Sequence, residues 1–102
     1  MLDKLTSDDF KARLNQKFQL QLEGLEPLEL ELIQVSNLGR EPDPTDDLVK
    51  RWAFAVVFRG PNEPILSQRI YPLQHPEMGQ LDLFLVPVGP TKTGMQYEAV
   101  FT

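Results

Sequence analysis

A period-two alternation of apolar and polar residues restarts along this chain, from Phe18, Leu20 and Leu22 to Tyr97, Ala99 and Phe101, with turn-forming residues between the runs. Successive side chains of a strand point to opposite faces, so each run has one face for a core and one for water, which is the signature of antiparallel β-structure. With 102 residues the chain has room for one domain and one core.

Ahead of the alternation, Thr6 or Ser7 is suited to cap a short helix, and Asp8 and Asp9 favour the positive end of its dipole. The spacing predicts a helix over 7–15, with Leu5, Phe10 and Leu14 as an apolar stripe that plugs one end of a sheet. A first hairpin is expected over 17–35. Its first strand runs from Lys17 to Glu23, and the turn spans Gly24 to Pro27. In the second strand Leu28, Leu30 and Leu32 share one phase, whereas Ile33 and Val35 take the other, so a β-bulge is expected between Leu32 and Gln34.

The stretch 36–50 breaks the pattern with Gly39, Pro42 and Pro44 and carries Asp43, Asp46 and Asp47, which makes it a long acidic loop, exposed and accessible to a partner. Four more strands are predicted over 51–101: Arg51 to Arg59, Ile65 to Leu73, Gln80 to Val88 and Met95 to Phe101. The turns between them hold Gly60-Pro61-Asn62, His75-Pro76 with Gly79, and Gly89-Pro90 with Gly94. Short connections favour antiparallel neighbours, hence a meander. In the strand from Arg51, Trp52, Phe54, Val56 and Phe58 form a large apolar face. Ala53, Ala55 and Val57 on the other face are small but not polar, so the strand is expected to be covered on both sides. The fold class is therefore mainly β: a six-stranded antiparallel meander curled into a small barrel or sandwich, with one short N-terminal helix. The last strand is expected to be built into the sheet, so that deleting the chain from Tyr97 onward abolishes cooperative folding.

The charge and composition narrow the function classes. A formal net charge of -5 disfavours binding to a phosphate backbone, which needs clustered Lys and Arg. No cysteine is present, which removes disulfides, thiolate chemistry and Cys-based zinc sites. No apolar run reaches the roughly 18 to 20 residues that span a bilayer, and the first ten residues do not resemble a signal peptide. The expected location is the cytoplasm, or an exported assembly reached without a signal peptide.

Candidate chemistry is sparse. His75 is the single histidine and sits beside Pro76 in a turn, which favours a structural or exposed role; as a general base it needs a nucleophile and an orienting carboxylate. The acids of the 36–50 loop are hard oxygen ligands, but they lack the alternating spacing and central glycine of a calcium loop, and a solvated charge run is the better reading. Ser67 has no nucleophile-elbow glycines around it, and no phosphate-cradling loop is present. No catalytic residue, cofactor or metal ligand is assigned. Asp82 interrupts the apolar run from Leu81 to Val86. It either faces water with Phe84 and Val86 half-covered on the same side, or belongs to an interface in which Phe84 anchors a partner and Asp82 orients it. The candidate interaction residues are Asp82, Phe84, Asp43, Asp46 and Asp47.

The segments Phe58-Arg59-Gly60-Pro61, His75-Pro76-Glu77-Met78-Gly79, Leu81 to Gly89 and Tyr97 to Phe101, together with Asp9, Phe10 and the Leu28 to Leu32 strand, resemble a family of small bacterial proteins known as a domain of unknown function. Members of that family are often encoded near phage-tail-collar-like proteins. The resemblance implies a component, adaptor or chaperone of a phage-tail-like assembly, with a protein partner such as a tail-collar-like protein, and carries no catalytic residues. The expectation is a non-enzymatic protein-interaction module, with homo-oligomers left open. The alternative is a small-ligand-binding β-barrel with an apolar cavity inside the curled sheet, and an enzyme built on His75 ranks third.

Overall fold

The computed structural model describes residues 5–37, 53–63 and 65–101. The acids Asp43, Asp46 and Asp47, and Trp52, lie outside the described residues. Six antiparallel strands close into a small barrel: β1 (Lys17–Leu20), β2 (Leu28–Asn37), β3 (Phe54–Gly60), β4 (Arg69–His75), β5 (Gly79–Thr91) and β6 (Gly94–Phe101), with α1 (Ser7–Lys11) ahead of them. The predicted bulge is present, since the β2–β3 register shifts between Leu32 and Gln34. It moves the inward phase from Leu30 and Leu32 to Val35, which packs against the core.

Around the barrel the order is β1-β2-β3-β6-β5-β4, with β4 returning to β1. This corrects the simple meander expected over 51–101: β3 pairs with β6 over seven residue pairs, from Phe54 opposite Phe101 to Gly60 opposite Met95, and not with β4. The Gly60-Pro61-Asn62 turn does not reverse the chain onto its own strand. Residues 61–63 and 65–68 instead lie across one end of the barrel, and the stretch from Ile65 expected to be strand is part of that crossing, β4 starting only at Arg69. The physical reason is where its backbone bonds go: the Leu66 N–H and the Ser67 carbonyl meet tyrosine hydroxyls and not a neighbouring strand, while Leu66 turns into the core and Ile65 stays exposed. The close fit of β3 to β6 rests on glycine. The carbonyl oxygen of Gly60 occupies the space a Cβ on Gly94 would need, and Gly94 has a φ of +146° that side chains rarely adopt.

The interior is filled by large side chains from every strand, among them Phe18, Leu20, Leu30, Phe58, Leu73, Leu85 and Tyr97, all fully buried. Phe18 meets Phe58 edge-on with ring centroids 5.2 Å apart. The expectation that β3 is covered on both sides holds over its described part, since Ala55 and Val57, on the outside of the barrel, are 5% and 9% exposed.

Two covers close the ends. At one, Thr6 begins α1 and its backbone N–H is accepted by the Asp9 carboxylate at 2.8 Å. Phe10 is fully buried against Phe54 and Phe101, whose rings stack at 4.6 Å. The helix is shorter than the expected 7–15. It ends at Lys11 and gives way to a turn in which Asn15 has a φ of +69° and donates its N–H to the Leu32 carbonyl. The turn carries Leu14 out of the apolar stripe, so that it is exposed. At the other end, the buried Tyr97 hydroxyl accepts the Leu66 N–H at 2.9 Å, and the Tyr71 hydroxyl donates to the Ser67 carbonyl at 2.8 Å. These two bonds hold the crossing segment down.

Candidate interaction surface

The barrel's outer wall divides into two chemically different halves. On β1, β2 and β3 the register places Lys17 opposite Glu31, and Glu31 opposite Arg59. The result is an ion-paired ladder: Glu31 contacts both Arg59 and Lys17, and Lys17 also reaches Glu29 at 3.9 Å. The Arg59 guanidinium hydrogen-bonded to Glu31 holds that carboxyl below its ordinary range, with Lys17 adding to the effect. Opposite charges across strands satisfy one another here and leave the surface polar.

On β4, β5 and β6 exposed apolar residues stand among the polar ones of the outer face. Ile70 on β4 lies directly opposite Phe84 on β5, and both are exposed, at 61% and 48%. Val86 lies opposite Glu98 of β6, and Val100, two residues further along the same outer face, is 54% exposed. Asp82 shares the outer face of β5 with Phe84 and Val86, opposite Pro72, and accepts a hydrogen bond from the Gln80 amide at 3.2 Å. The structure therefore brings two of the sequence-derived candidates, Asp82 and Phe84, onto one face. Sequence reasoning missed Ile70 and Val100. The signal was present in the alternation, but for Ile70 it can be read only with the β4–β5 register in hand.

His75 faces inward at the end of β4 and is 6% exposed. Its ring packs on Phe18 at 4.7 Å between centroids. Nδ1 accepts the backbone N–H groups of Glu77 at 3.1 Å and Met78 at 3.3 Å, so the ring proton sits on Nε2, which meets the Gln16 amide oxygen at 2.6 Å. Both ring nitrogens are thereby committed to structure. Burial, reinforced by the Arg13 charge and opposed by Glu77, pushes the His75 pKa below its ordinary value. A shallow cleft of about 330 Å³ opens beside it, lined by Gln19, Gln74, Pro76, Gly79 and Gln80. Its open, mostly amide-bearing walls offer no nucleophile. Among the described residues no helix is long and apolar enough to cross a membrane.

A six-stranded closed barrel with a filled interior and a half-apolar wall is the class these features define. The chain belongs to the family described as a domain of unknown function, DUF6916, whose match spans residues 5–101. No curated protein and no solved structure matches it.

Proposed function

We propose that this domain is a non-enzymatic protein-interaction module that docks through the outer face of β4, β5 and β6. The observation that carries the reading is the exposure of Ile70 directly opposite Phe84 on the outer wall, with Val100 also exposed on β6. Apolar side chains clustered on a surface, with an aromatic at the centre, are the usual anchors of protein interfaces. Closure of the sheet directs attention to the same place, because a closed barrel offers side chains rather than a free strand edge to a partner. The barrel interior is packed with its own aromatic and aliphatic side chains, so no observation favours the small-ligand alternative. The resemblance to bacterial proteins encoded near phage-tail-collar-like proteins supports a more specific role, as an adaptor, chaperone or component of a phage-tail-like assembly with a tail-collar-like partner.

The test is affinity capture from the native host through an N-terminal tag, comparing the wild-type domain with the double variant I70S/F84S. Both substitutions lie on the outer wall, so the melting temperature is expected to hold while the captured partner is lost. Recovery of a tail-collar-like protein by the wild type alone supports both the docking face and the assembly role. Equal recovery by the variant, or recovery of the domain with nothing bound, overturns the reading.

A further inference from the structure

The apolar face is bordered by carboxylates that no described residue neutralises. Asp82 lies two residues from Phe84 on β5, and Glu98 lies two residues from Val100 on β6 and opposite Val86. Asp82 is bonded only to the neutral Gln80 amide, and neither acid forms an ion pair with a described residue. On the opposite half of the wall the arrangement is reversed: Glu29 and Glu31 are matched by Lys17 and Arg59. Among the described residues, the cations are thus paired with the acids of the polar wall and not with those around the apolar wall.

Deepening the interaction reading, on which it rests, we infer that the face formed by Ile70, Phe84, Val86 and Val100 receives a segment of another protein that is apolar at its centre and carries Lys or Arg on its flanks. The apolar centre covers Phe84 and its neighbours, and the flanking cations reach Asp82 and Glu98 at the rim. Rim charges of this kind mainly govern recognition and encounter, and exclude partners of the wrong sign. The same argument disfavours a second copy of this chain as the occupant. A two-fold contact through this face would bring Asp82 and Glu98 against their own kind in a protein that already carries a net charge of -5.

The experiment is selection of a random 12-residue peptide library against the immobilised domain, followed by binding measurements on the enriched peptides. Enriched peptides are expected to combine large apolar residues with Lys or Arg. Their binding should weaken roughly tenfold in D82N/E98Q, lose most of its salt dependence in that variant, and vanish in I70S/F84S. Peptides that need Phe84 and Ile70 but bind D82N/E98Q and wild type equally overturn the charge assignment and leave the docking face standing. Peptides indifferent to both variants, or no enrichment, overturn both. Concentration-dependent dimerisation that D82N/E98Q strengthens overturns the inference in favour of self-association.

Discussion

At one end of the barrel the cover is a short helix and turn, held by the packing of Phe10 on Phe54 and Phe101 and by the bond from His75 to Gln16. At the other it is a strandless crossing, held by Leu66 and two tyrosine hydroxyls. Both solve the same problem, that an open barrel end exposes the core. They differ in what they respond to. The helical cover is tied by a side chain that must stay uncharged to keep its bonds, because a proton added at Nδ1 would face the Glu77 and Met78 N–H groups. Among the described residues no such group ties the crossing cover, so the acid sensitivity that His75 brings is expected at the helical end.

The largest effect expected is from Phe10→Ala, which removes the aromatic plug of the helical end. Emptying a fully buried phenylalanine site costs about 3–5 kcal/mol, measured by chemical denaturation, and a loss under ~1 kcal/mol would show that the helix is not a true cover. Next is Tyr97→Phe at the crossing end. It keeps the ring but strands the buried Leu66 N–H, for a cost of about 1–3 kcal/mol, with raised hydrogen exchange confined to 61–68.

Acidification separates the ends further. His75 has a folded-state pKa below its ordinary 6.5, so the unfolded chain binds more protons in that range. The stability His75 contributes is present above about pH 6.5 and is lost as pH falls through that value and then through the folded pKa. Relative to the intrinsic exchange rate at each pH, protection of amides in 7–16 is expected to fall on acidification before that of 65–68 does. His75→Gln should flatten the pH dependence near neutrality, and an unchanged profile in that variant would remove His75 from the account. The smallest effect is expected on the wall between the covers: Ile70→Thr should change stability by no more than about 0.5 kcal/mol, because that side chain is already in water.

Much of this architecture was legible in the sequence because it is written in short-range terms. Alternation sets which residues of β2, β3 and β5 face inward, and the phase change after Leu32 locates the bulge. The crossing was not legible, because Gly60-Pro61-Asn62 is compatible with a tight reversal as well as with an exit from the sheet. Choosing between them depends on the pairing of β3 with β6, and on the tyrosine hydroxyls that meet residues 66 and 67. The end of α1 is hidden from the sequence for a similar reason: the left-handed Asn15 donates its N–H to Leu32, a residue in another element. Of the candidate surface, Phe84 and Asp82 stood out because the acid interrupts an apolar run. Ile70 looked like any other strand residue until its cross-strand neighbour was known.

The crossing between β3 and β4 also dictates how this molecule can be assembled in time. Neighbouring hairpins can zip locally, as β4 with β5 and β5 with β6. The far edge of β3, however, is completed only by β6, a strand that is synthesised after β4 and β5 have been laid down. Such non-local pairing slows folding, since the entropy of closing a long loop is spent before any contact rewards it. Until β6 docks, β3 carries the adhesive edge of a growing sheet. This gives the early chain an aggregation hazard that the finished barrel does not have.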